Sequence, residues 1–502
     1  MIQKIKDNIV YWGSLGTIII IIFFTLLNID TFASASQNAL DFLLANFSWI
    51  YAGVVLILIY FSIWLMLSKY GNIRLGKNDE KPKYSFLSWL SMLFSAGMGI
   101  GLIFWGVAEP LNHYLNPMNM EPMTSQAKSF ALGKSFLHWG ISAWSCYAVL
   151  ALALAYFQFR KQKPALISSV LHPILGDRPI IKIIVDIFTI FATIAGVVTT
   201  LGLGTLQINA GLNYLFNVPE NVFIQLIIIV MVTIAFLISA AQGLDNGIQK
   251  ISNFNLTLAA ILLGLAIIIG PTMKMAVNFM DGLVFYGKDL LTSNNNFLAS
   301  GKWYESWTFF YWGWWIAWAP PVAVFIARIS RGRTIRQFLV GVLLVPSFLC
   351  CVWFAVFGSF ALDVDASTAQ LAVQQTETAL FVLMNNYQFG TIISILAILL
   401  LGTFFITSAD SATFVLGMLS SNGNLNPKNS RKLVWGIIQG TLTIVLLMAG
   451  GLEMVQTISI LAAFPFMFII LLSIVSLMKS LRKEHSLLEY QSKHKERWWV
   501  NS

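Results

Sequence analysis

Six tryptophans, Trp303, Trp307, Trp312, Trp314, Trp315 and Trp318, fall within sixteen residues, and the last four lie inside one apolar run. Spacings of three put Trp312, Trp315 and Trp318 on one side of a helix. A second group, Trp139, Trp144 and Tyr147, lies in another apolar run, with Trp144 and Tyr147 three residues apart. Large rings at helical spacing either pack a core or face a ligand. Faces turned toward a ligand hold a cation that cannot donate hydrogen bonds, at about 0.5–2 kcal/mol per ring. Two such groups in one chain point to a quaternary ammonium.

In a third run, Phe94-Ser-Ala-Gly-Met-Gly-Ile-Gly101 sets Gly97, Gly99 and Gly101 at alternate positions, and Pro320–Pro321 falls within the run that holds the tryptophans. A close helix crossing accounts for the glycines and a kink for the prolines. The other reading is interrupted helix in both places, which in lipid must line a cavity or be covered by protein. Amides exposed around Gly97 to Gly101 would then take a carboxylate. An aromatic box beside free amides suits a betaine.

Other polar groups inside apolar runs carry two readings each. Thr407 and Ser408 offer hard oxygens for a small alkali cation, or bond back to carbonyls one turn earlier. Asp410 braces such an ion site or bonds a neighbouring helix. His138 is a packed, hydrogen-bonded histidine or a proton carrier. Glu109 is expected to face the outer vestibule or a loop. Arg328, Arg331, Arg333 and Arg336 anchor the chain at the membrane surface, or form an internal gate or trimer contact.

Catalysis finds no set of residues. The five histidines, His113, His138, His172, His485 and His494, form neither HExxH nor a metal-ligand spacing. Cys146, Cys350 and Cys351 lie in apolar runs and form no CxxC. The basic excess, 31 Lys and Arg against 22 Asp and Glu, makes no stripe interleaved with aromatic residues, which excludes a nucleic-acid partner.

The elements that must position these residues follow from composition. Over 502 residues, 57% are apolar and 11% charged, with a mean hydropathy of +0.74. A soluble chain carries about a quarter charged residues, so this one belongs in a bilayer. Segments of about 20 apolar residues predict twelve spans, at 11–29, 48–68, 86–107, 130–158, 180–206, 221–241, 252–273, 304–328, 337–360, 389–419, 431–450 and 455–478. The first has no cleavage site and reads as a span rather than a signal peptide. All Lys and Arg except Lys128, Lys134, Lys274, Lys288 and Lys302 then fall on one side, which places both termini in the cytoplasm of a bacterial cell. The tail, with Arg482, Lys483, Lys493, Lys495, Arg497, Trp498 and Trp499, suits anionic lipid or a solvated end.

The stretches FSAGMGIGLIFWGVAEPL (94–111), HWGISAWSCYA (138–148), FYWGWWIAW (310–318), ARISRGRTIRQF (327–338) and FFITSADSA (404–412) resemble the betaine/choline/carnitine transporter family, and the resemblance covers essentially the whole chain. It implies an all-α integral membrane fold of twelve helices: two extra N-terminal helices (1–85), a first inverted five-helix repeat over spans three to seven (86–280), an external connecting segment (281–303), a second repeat over spans eight to twelve (304–479) and a short cytoplasmic tail (480–502). It further implies alternating access and a homotrimer. By motif position, Trp139, Trp144, Tyr147 and Trp315 would form the box, Trp312, Trp314 and Trp318 the path to it, and Phe104, Phe310 and Phe325 the gates. Sodium would bind the hydroxyls of Thr407 and Ser408 with main-chain carbonyls near Ser95, Met98 and Phe404. Pro321 stands where the family's second sodium site often has a Phe, so a second site is not carried over.

The interiors of spans five and ten hold no Arg or Lys, which favours sodium coupling over exchange without sodium. Gly101 occupies a position that is often acidic in choline-selective relatives, which favours a zwitterion. The expectation is a sodium-coupled importer of glycine betaine or a related trimethylammonium osmolyte, with no cofactor besides the coupling ion. The alternatives are a proton-coupled choline importer and a sodium-independent exchanger of the carnitine type.

Overall fold

Hydrocarbon offers backbone groups no hydrogen-bond partner, so apolar runs of this length must satisfy themselves as helices. The computed structural model describes residues 2–97, 99–242, 249–292 and 301–500, with backbone alone at 2–8, 94–97, 242, 249, 292 and 487–500. Among the described residues, ten helices are long and apolar enough to cross a membrane. The chain opens with α1 (Ile2–Leu27) and α2 (Ile29–Leu67).

Span three is two shorter helices, α3 (Phe86–Gly97) and α4 (Ile100–Leu115), parted at Gly99, whose φ of −162° and ψ of −122° leave the helical region. The glycine run therefore contains a break. Span four also breaks, at a place the sequence reading missed: α5 (Ser125–Trp139) and α6 (Ile141–Ala155) part at Gly140, with φ −86° and ψ −134°. The Ile141 amide freed there donates to the Tyr286 hydroxyl at 3.1 Å. A side chain on Gly140 would collide with that hydroxyl and with the Phe136 carbonyl.

The helices α7 (Pro179–Phe216), α8 (Val222–Gln242), α9 (Gln249–Ile269) and α10 (Thr272–Thr292) follow. The last fills much of the expected connecting segment and is pinned to the bundle by Lys134–Asp289, at 2.8 Å.

The expected interruption at Pro320–Pro321 is absent: α11 (Phe310–Ile329) runs through both prolines. Proline's fixed φ is compatible with helix, although each ring removes a donor and crowds the carbonyl four residues earlier. The backbone of α7 packs closely against this segment, since a Cβ on Gly196 would lie 2.8 Å from Ala317 C and Trp318 N. Irregularity falls instead at a π-turn, Glu305–Phe309, just before α11.

Beyond α12 (Val345–Ala361) and α13 (Gly390–Leu419), the two last expected spans lie in α14 (Asn429–Val500), non-helical at Gly450 and Gly451, the latter with φ of 58°. Helix thus continues through most of the expected tail, and Glu484 accepts from the Tyr156 hydroxyl at 2.6 Å and from Lys161 at 2.7 Å.

The arginine cluster stitches loops within the chain. Gly332 N–H donates to Leu75 O at 2.7 Å, Leu75 N–H to Arg333 O at 2.8 Å, and the Arg333 guanidinium lies 4.0 Å from the Trp89 ring centre. Gly196→Ala should lower stability by about 1–3 kcal/mol, because backbone rather than a movable side chain blocks the new methyl. The thermal midpoint in detergent should fall; an unchanged midpoint would mean that α7 and α11 do not touch there.

Candidate functional site

α5 ends on Trp139, α6 begins the turn that carries Trp144 and Tyr147, and α11 presents Trp314 and Trp315 between them. The four expected box rings meet. Trp139 and Trp315 stand 4.8 Å apart at 72°, Tyr147 and Trp315 6.3 Å apart at 79°, and Trp144 and Tyr147 5.6 Å apart at 90°. All four are buried. Trp314 stacks on Trp315 at 4.8 Å and on Phe310 at 5.7 Å. Phe104 reaches this stack through Trp105, at 4.8 Å and then 6.0 Å. Trp312 packs beside Phe309.

The glycine run gives these indoles room. A Cβ on Gly101 would lie 2.6 Å from Trp139 and 2.8 Å from Trp314. Gly99, at the break, faces α13: a Cβ there would be 3.4 Å from Ser408 Oγ and 3.5 Å from the Phe404 ring. The break thus brings the carbonyl end of α3 and the amide end of α4, which have opposite polarity, close to Ser408. Met98 lies outside the described residues, as does the side chain of Ser95; Gly97 is the last residue of α3.

Thr407 bonds back to the Phe404 carbonyl at 3.1 Å and accepts from Asn255 Nδ2 at 3.1 Å, a partner on α9 that no motif announced. Asp410 accepts from Ser239 of α8 at 2.5 Å, which assigns it to helix bracing.

A cavity of about 530 Å³ is lined by residues that include Lys83, Arg328, Trp318, Phe325, Thr407 and Ser408. Its walls include the expected path residue Trp318 and gate Phe325, and stop short of the four box rings. The four box rings are buried against one another, and the candidate ion hydroxyls border open space.

Glu109 corrects an expectation. Rather than facing a vestibule or loop it is fully buried, because three donors converge on it. Trp139 Nε1–H donates to Oε2 at 2.7 Å, and Oε1 meets His138 Nδ1 at 2.6 Å and His113 Nε2 at 3.3 Å. His138 Nε2 meets Thr308 Oγ1 at 2.9 Å, so this histidine is packed and hydrogen-bonded. Its own carbonyl accepts from Trp315 Nε1–H at 2.8 Å.

The family model described as betaine/carnitine/choline family transporter matches residues 9–486. The glycine betaine transporter OpuD of Bacillus subtilis is 48% identical over 486 residues, covering 95% of this chain and 94% of its own. The ectoine/hydroxyectoine transporter of Virgibacillus pantothenticus is 40% identical over 96% of this chain and 98% of its own. Glycine betaine transporter 1 of Vibrio parahaemolyticus is 38% identical over 90% of each chain.

The native cysteines are buried, which makes accessibility readable. Without substrate, Ser411→Cys, on the cavity wall, should react with a charged thiol reagent applied from the side of Lys83 and Arg328. Ser145→Cys, fully buried near the box, should not. Equal labelling of both would contradict a closed box.

Proposed function

This chain belongs to the betaine/carnitine/choline transporter family, and from that premise we propose that it imports glycine betaine or a related trimethylammonium zwitterion by sodium-coupled alternating access. One observation carries the reading: Trp139, Trp144, Tyr147 and Trp315 meet at steep angles beside the end of a broken helix. A trimethylammonium group has no N–H to donate, so polar side chains cannot hold it, whereas ring faces attract its charge and methyls together. The amide end of α4 supplies the opposite polarity for the carboxylate.

Sodium would take the Thr407 and Ser408 hydroxyl oxygens with carbonyls near Ser95, Met98 and Phe404. The residues fit a hard cation: the Thr407 proton serves the Phe404 carbonyl, which leaves lone pairs on its oxygen, and the Ser408 hydroxyl lies on the cavity wall beside the break. An ion held there would join the α3–α4 break to α13. With spans three to seven and eight to twelve as inverted repeats, that is a join between repeats, and it would couple ion binding to their relative rocking. The lysine and arginine distribution supports cytoplasmic termini, and with it an inward-open cavity beneath a closed box. Assembly as a trimer rests on the family resemblance.

Trp315→Ala should weaken glycine betaine binding at least about tenfold, near the upper part of the range for one desolvated ring. Unchanged affinity in protein that elutes normally would remove the box from substrate binding. Thr407→Ala with Ser408→Ala should raise the sodium concentration for half-maximal uptake several-fold, by about an order of magnitude if both oxygens coordinate; an unaltered sodium dependence would place the ion elsewhere.

A further inference from the structure

We propose that Glu109 is the positioning residue of the aromatic box, a role that rests on the box being the substrate site. The indole of Trp139 is held by α4 at two points. Its benzo edge lies against Gly101, where no side chain fits, and its N–H is taken by the Glu109 carboxylate two turns further along the same helix. A ring held at its edge and at its nitrogen cannot rotate about χ1 or χ2.

The second box tryptophan is tied to the same carboxylate through one intermediate. Glu109 Oε1 meets His138 Nδ1 at 2.6 Å, Thr308 meets the other ring nitrogen at 2.9 Å, and the carbonyl of the residue so fixed accepts the Trp315 N–H at 2.8 Å. Tyr311, which stacks on both His138 at 4.8 Å and Trp315 at 5.9 Å, closes the circuit. Rings contributed by α5 and α11 are thereby registered against α4.

The carboxylate suits the task. A buried charge is costly unless several donors meet it, and hydrogen bonds to an ionised acceptor are shorter and stronger than neutral ones. Glu109 has three donors, with the Lys134–Asp289 ion pair nearby on α5 and α10. Cation–π attraction depends on the faces pointing at the charge, so loosened indoles lose affinity without losing the fold.

Glutamine can replace much of this. Its oxygen can accept from Trp139, and its amide can donate to His138 Nδ1 in the other tautomer, whose Nε2–H then donates to Thr308. Leucine offers neither contact, and aspartate keeps the charge but draws the acceptor back by one methylene.

The test is sodium-driven glycine betaine uptake in proteoliposomes of the full-length protein, with KM and the maximal rate measured separately. Glu109→Leu should raise KM by about tenfold or more, as expected when a hydrogen bond to a charged group is lost, with the maximal rate within about threefold. Glu109→Gln should stay within about threefold of the parent KM. In a Trp139→Phe background, which lacks the N–H but keeps the route through His138 to Trp315, Glu109→Leu should add clearly less than it does alone, about threefold in place of tenfold. Should Glu109→Leu fail to insert, Glu109→Asp takes its place, with the same rise in KM and the same smaller effect beside Trp139→Phe. A parent-like KM for both Leu and Asp variants, or effects that multiply fully in the Trp139→Phe background, would overturn the proposal. Those outcomes leave the box itself standing, whereas an unchanged affinity in Trp315→Ala would remove the box.

Discussion

A helix broken inside lipid must have its loosened amides and carbonyls covered by protein, and the breaks at Gly140 and Gly99 mark places where helices have been drawn together. At Gly140 the freed Ile141 amide is met by the Tyr286 hydroxyl from α10. At Gly99 the wall is α13, with Ser408 and Phe404 in van der Waals range of the glycine. The two breaks flank the aromatic box, because the residue before Gly140 is Trp139 and the residue two after Gly99 is Gly101, whose missing side chain admits Trp139. The backbone breaks and the clustered rings thus share the same residues.

The rings of the box satisfy one another, through the steep contacts of Trp139, Trp315 and Tyr147 and the stack of Trp314 on Trp315. Aromatic pairs of this kind contribute about 0.5–1.5 kcal/mol each beyond their burial. These contacts hold α5, α6 and α11 together around Trp315.

Much of this was legible in the sequence, and the reasons differ residue by residue. The glycine triplet offered a break as one of two readings, and both hold in part: Gly99 parts the helices, while Gly101 makes room for Trp139 and Trp314. The tryptophan spacing announced the stack on α11. Pro320–Pro321 misled, because proline's fixed φ is compatible with helix and its cost can be absorbed by tertiary packing that no local pattern reveals. Gly140 was missed because one glycine in an apolar run is ambiguous. Glu109 was misplaced because its three donors come partly from α5, so the end of an apolar run looked like the edge of the membrane. Asn255, the partner of Thr407, stands in no motif.

The central claim is that charge, held by ring faces, selects the cargo. It is tested most directly by comparing glycine betaine with tert-butylacetate, the isostere in which carbon replaces the quaternary nitrogen, as ligands of the purified protein in titration calorimetry. Shape and carboxylate are the same in both. The account predicts that the isostere binds at least about tenfold more weakly, the loss expected when several cation–π contacts vanish. Equal affinity would show that the box recognises a methylated shape and that its rings contribute only hydrophobic contact.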